Sequence, residues 1–164
     1  MRASYKLISA LFAIALLAAP TTAQQLAKSG TFTGKFSGEG AGDPYEIGKG
    51  HVFFVGHFNF VLLNDAAGGF LDKSEMTCPG ATDIVNGLIA AGNGYCVITG
   101  KDGDKAFFIW EAKDTAPGTG GGTFKWTGGT GKYTGLQGHN TFRYTGIGNT
   151  TAYSAVINGD WRLP

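Results

Sequence analysis

From Thr31 onward, apolar and polar side chains alternate with a period of two in run after run. Phe32 and Phe36 interleave with Thr31, Thr33, Lys35 and Ser37, Phe124 and Trp126 flank Lys125, and Phe142 and Tyr144 flank Arg143. A strand points successive side chains to opposite faces, so the pattern predicts half-buried β-strands. Further runs at 51–63, 72–78, 95–99, 105–112, 123–127, 139–145 and 151–163 bring the set to about eight, the signature of an all-β barrel or sandwich.

The interruptions predict the connections. Segment 38–50 is rich in glycine and contains Pro44, which reads as a loop. Gly56 in the middle of 51–63 predicts a bulge or sharp bend, so that run counts as one strand or two. Pro79 ends the run before it, and Lys101-Asp102-Gly103-Asp104 predicts a hairpin with a type I′ turn at Asp-Gly. Segment 82–92 differs: Ile84, Val85, Leu88 and Ile89 fall at i, i+1, i+4 and i+5, with Asp83 to cap the start and Gly92 the end. This spacing predicts a short helix, weakened by Asn86-Gly87 in its interior by about 1 kcal/mol. Such a helix is either a plug or lid over one barrel mouth, or a connection whose apolar side completes the core.

Parity unites the strands. One face collects Phe32, Phe36, Val52, Phe54, Phe58, Phe60, Leu62, Met76, Ile98, Phe108, Trp110, Phe124, Trp126, Phe142, Tyr144, Tyr153, Ile157 and Trp161, and the other carries most of the Thr, Lys, Glu and Arg. One buried surface across so many strands is met most simply by a sheet that closes on itself and so removes its edges. The expected architecture is an eight-stranded antiparallel, calycin-like barrel with one short helix. Its lumen is packed solid by these rings, open as a small-molecule pocket, or filled at one end and open at the other. In the open case Phe58, Trp110, Trp126, Tyr144 and Tyr153 supply walls and Asn140 a polar handle.

The N-terminus modifies this picture. Arg2 and Lys6 precede an apolar run over 7–19, followed by Pro20-Thr21-Thr22-Ala23, which reads as a secretory signal peptide cleaved after Ala23. Residues 24–29 read as a flexible lead-in and 30–164 as one domain. Cleavage takes the basic count from 13 to 11 against 12 acidic residues, so net charge passes from +1 to −1. That balance argues against nucleic acid or an anionic membrane as partner, and the expected location is secreted or periplasmic. Cys78 and Cys96, the only cysteines, would form one disulfide in an oxidising compartment, worth about 3 kcal/mol on a loop-entropy basis. Two buried thiols are the alternative.

Candidate chemistry is thin. His51 and His57 lie about 20 Å apart on an extended strand and His139 is remote in sequence, so no metal site is expected and no cofactor is implied. Glu75, Glu111, Asp114 and Asp160 fall outside the apolar face or at strand ends, where solvated carboxylates are ordinary. Gly118-Thr119-Gly120-Gly121-Gly122 runs into a strand rather than a helix, unlike a phosphate loop. Asn149-Thr150-Thr151 is a glycosylation sequon.

Gly128-Gly129-Thr130-Gly131-Lys132-Tyr133-Thr134-Gly135-Leu136-Gln137-Gly138 precedes the strand containing Thr141 and Phe142. This element resembles the Gly-Gly-Thr-Gly-Lys-aromatic-x-Gly-x-x-Gly signature of the allene oxide cyclase and dirigent group. The resemblance covers the last third of the mature chain. It implies an eight-stranded antiparallel barrel, often a trimer, whose hydrophobic lumen holds a reactive apolar molecule for cyclisation or steered radical coupling. No catalytic residue of that group maps onto this chain. The leading expectation is thus an exported barrel that binds a small hydrophobic or aromatic molecule, with a homo-oligomer, trimer or dimer, as its expected assembly. A cyclase or isomerase acting by conformational steering is the first alternative, and a structural barrel with a filled lumen the second.

Overall fold

Alternation becomes architecture in a computed structural model that describes residues 27–148 and 150–164. The proposed signal peptide and Asn149 of the sequon lie outside the described residues. Eight strands follow in order: β1 (Ser29–Gly48), β2 (His51–Asn64), β3 (Ser74–Val85), β4 (Leu88–Thr99), β5 (Lys105–Ala116), β6 (Thr119–Gly129), β7 (His139–Gly146) and β8 (Ala152–Arg162). Each pairs antiparallel with the next and β8 pairs with β1, so the sheet closes into a barrel. Among the described residues the helical content is a single 3-10 turn, Gly131–Tyr133, inside the glycine-rich connection.

Five expectations are corrected. Segment 82–92 is not a helix, and no helical lid exists there: Thr82 to Val85 end β3, Leu88 to Gly92 begin β4, and Asn86-Gly87 form the two-residue turn between them. Asn86 and Gly87 take φ of 51° and 80°, the left-handed pair of a type I′ hairpin, so the dipeptide that would weaken a helix here decides for a turn. At Asp102-Gly103 the reverse holds. Only Gly103 is left-handed, at φ 86°, and its N–H reaches the Gly100 carbonyl at 2.9 Å, so that hairpin does not use type I′. Gly56 is no bend: it pairs with both Gly42 and Gly80 in unbroken register. Pro79 lies within β3, opposite His57.

The fifth correction is 38–50, which continues β1 instead of forming a loop. The N–H of Gly40 bonds the Thr151 carbonyl at 3.0 Å, so alternate residues from there direct their N–H toward β8. Pro44 is one of these, but β8 stops pairing at Glu39 opposite Ala152, and the N–H that proline lacks would have faced an open edge. Residues 41–48 therefore rise past β8, held by β2 alone.

Inward-facing glycines explain how so many rings fit. Gly40 lies opposite Phe58, Gly94 opposite Trp110, Gly120 opposite Tyr144, Gly122 opposite Phe142 and Gly30 opposite Trp161. Each ring lies over the neighbouring strand where a side chain is missing; a Cβ on Gly40 would stand 2.7 Å from the Phe58 ring. Gly38 and Gly122 carry a tighter demand. A Cβ there would run into the carbonyls of Asn59 and Glu111, which are backbone atoms of the adjacent strands. Cys78 and Cys96 are disulfide-bonded across β3 and β4, with Cα atoms 4.0 Å apart.

Candidate functional site

The two ends of the barrel differ. At one end the connections β2–β3 and β6–β7 fold inward and deliver Phe70, Leu71, Tyr133 and Leu136, all buried. Phe70 stacks on Trp161 with centroids 4.5 Å apart, and meets Trp126 and Tyr133 edge-on at 5.7 and 5.8 Å. Trp126 is 2% exposed and donates its indole N–H to the Asp160 carbonyl at 3.2 Å. The glycine-rich element 128–138 thus serves as the floor of the barrel. Thr130 accepts from the Lys105 N–H at 2.9 Å, Asp104 accepts from the Lys132 N–H at 3.1 Å, and Gln137 exchanges backbone bonds with Arg162.

The other end carries two-residue hairpins at β1–β2, β3–β4 and β5–β6, the first two joined where the Asn86 N–H meets the Gly50 carbonyl at 2.7 Å, and the longer β7–β8 connection. Among the described residues none of these connections folds inward, and all their side chains are exposed. Between this mouth and the floor lies an apolar cavity, bordered by Phe58, Trp110, Trp126, Tyr144 and Tyr153 together with Phe36, Phe60, Ile89, Ala112 and the Cys78–Cys96 disulfide. Its volume is about 90 Å³, and it opens to solvent at the mouth. Phe58 meets Trp110 and Tyr153 edge-on, both at 6.2 Å, and Tyr144 meets Tyr153 at 6.0 Å. Five of the six side chains read as ligand contacts therefore border one space. Asn140 does not: it is 3% exposed, pairs with Phe124 and Gly159, and lies outside the cavity wall.

One charged group reaches the mouth. β5 extends to Ala116, so Asp114 keeps the inward parity of Trp110 and Ala112 instead of sitting beyond the strand. This corrects its assignment to the solvated carboxylates. Its Oδ1 accepts from the Tyr144 hydroxyl at 2.6 Å and its Oδ2 from the Ile89 N–H at 2.9 Å. A longer β5 was the signal that Asp114 belongs to the lumen, and the turn residues after Ala112 concealed it. Glu75, Glu111 and Asp160 do face outward.

Burial pushes the Tyr144 hydroxyl far above the ordinary tyrosine value, and its bond to Asp114 adds to the effect. Tyr153 is raised by burial and then by the Asp114 charge, and Tyr133 by burial. A folded-state value above the unfolded one means stability is complete below about pH 10 and is lost as pH rises through the folded values. Denaturant midpoints on either side of pH 10 should fall with rising pH, and fall less when Tyr144 and Tyr153 are both replaced by Phe. An identical alkaline decline in that double variant would contradict the buried phenols.

Among the described residues no three His, Cys, Asp or Glu side chains converge, and no helix is long and apolar enough to cross a membrane. In comparisons with known proteins, the chain matches no family model and no curated relative. The fold and lumen define a closed antiparallel β-barrel with a packed floor and an apolar cavity below an open mouth.

Proposed function

We propose that this barrel is an exported binding protein that takes a small apolar or aromatic molecule into its lumen through the hairpin mouth. The observation that carries this reading is the asymmetry of the barrel. Rings from two inward-folded connections fill one end, while the other end keeps an apolar cavity that no connection covers among the described residues. Removing a ligand's apolar surface from water at about 25 cal/mol per Å² supplies the driving force, and fixed aromatic walls limit the ordering cost. The disulfide and the N-terminal signal pattern support a secreted or periplasmic location.

The resemblance of 128–138 to the allene oxide cyclase and dirigent group is consistent with a lumen that holds one conformer of an apolar molecule. A cyclase or isomerase is the second reading, favoured by the Asp114 carboxylate at the cavity mouth. Calorimetric titration of the mature chain with ethylbenzene tests the binding reading. Saturable binding is expected, and Ala112→Phe, which places a ring in the cavity, should abolish it. No binding by the wild type, or unchanged binding by Ala112→Phe, would exclude the lumen as a site.

A further inference from the structure

We infer that the lumen selects a slim molecule, one ring or one alkyl chain wide, that carries a neutral hydrogen-bond donor at the end left in the mouth. This rests on the lumen-binding reading and adds the ligand's chemistry. The room available sets the width. A cavity of roughly 150 Å³ admits one benzene, and the space here is smaller before it opens at the mouth. A chain or a single ring therefore enters with part of its length left in the mouth, and a fused ring system is disfavoured.

Asp114 sets the head group. It is a half-buried carboxylate on the inward face of β5 with one bond to each oxygen, from Tyr144 and from the Ile89 N–H. An ionised carboxylate accepts about four hydrogen bonds, so acceptor capacity remains at the point where a ligand's polar end would lie. Asp114 touches the cavity wall through Tyr144, whereas Tyr153 borders the cavity itself, and its hydroxyl makes no bond to a side chain or backbone group among the described residues. Among the described residues no Lys or Arg borders the cavity, so an anionic head would meet the Asp114 charge with no counter-ion to offset it. Phenols and alcohols are favoured, and carboxylates are rejected.

Ethylbenzene, 4-ethylphenol and 4-ethylbenzoate share one body and differ in the head, and near neutral pH they are apolar, neutral donor and anion. Calorimetry on the mature wild-type chain should rank 4-ethylphenol about tenfold tighter than ethylbenzene, since a hydrogen bond to a charged group is worth about that factor. It should rank 4-ethylbenzoate weakest. In Asp114→Asn the phenol loses its advantage and the benzoate gains. The Asn amide can still receive the Ile89 N–H and donate to the Tyr144 oxygen, and unchanged ethylbenzene affinity checks that the cavity is intact. Should Asp114→Asn not fold, the wild-type ranking decides alone, together with Tyr153→Phe, which removes the second polar group. Binding of ethylbenzene with equal or tighter binding of the benzoate would overturn the head-group inference and leave the lumen reading standing. Failure of all three to bind would overturn both.

Discussion

Substituting alanine for Gly38 or Gly122 is expected to leave the chain unable to close its barrel. The added methyl would collide with the Asn59 or Glu111 carbonyl, and neither can rotate away as a flexible side chain could. Relief requires separating β1 from β2, or β5 from β6, and so surrendering ladder bonds on both sides of the lumen. Overpacking costs about 1–3 kcal/mol where side chains can yield and more where backbone must move. Against the roughly 5–15 kcal/mol that holds a domain together, the loss is severe. Gly48→Ala is the control, because a Cβ there lies an ordinary 3.7 Å from His51 Cβ, and its effect should stay within about 0.5 kcal/mol. Urea denaturation of the three variants checks the contrast, and a folded Gly38→Ala of unchanged midpoint would show that the strands are not this close.

Trp126→Ala should cost about 3–5 kcal/mol, the range for deleting a large aromatic from a core. Trp126 meets Phe32, Phe70, Phe108 and Phe124 with centroids between 5.3 and 6.3 Å, and bridges β6 to the β8 backbone through its indole N–H. Its neighbours belong to four different parts of the barrel, so they cannot collapse together into the space left. Trp110→Phe at the mouth should cost less, because the Trp110 indole N–H has no protein partner among the described residues and the ring borders space that is already open. A loss below 1 kcal/mol for Trp126→Ala in chemical denaturation would mean that the floor is not packed.

Strand number, antiparallel closure and the inward face were legible because alternation survives wherever one side of a sheet is buried. Glycine was the source of most misreadings. In 38–50 it suggests a loop, yet in this barrel glycine at 40, 120 and 122 is the partner opposite Phe58, Tyr144 and Phe142, whose rings lie over the neighbouring strand. Helical spacing at 82–92 arose by chance from two strands joined through Asn86-Gly87, with Ala90 as an extra residue between Ile84 opposite Ile89 and Asp83 opposite Ala91. Alternation says nothing about non-strand residues, so Phe70, Leu71, Tyr133 and Leu136 could not be assigned to the floor from sequence. The wall residues Phe58, Trp110, Tyr144 and Tyr153 follow from parity, whereas the depth at which Asn140 sits depends on strand stagger, which one sequence does not encode locally.

Aromatic-ring NMR of the mature chain during an ethylbenzene titration tests the central claim most directly, because it reports both whether the lumen opens and from which end. Saturable shifts at Phe58, Trp110, Tyr144 and Tyr153, with the floor residues Phe70 and Tyr133 unmoved, are the predicted result. Absence of any saturable shift, or shifts confined to the outward-facing Tyr95 and Tyr45, would contradict it.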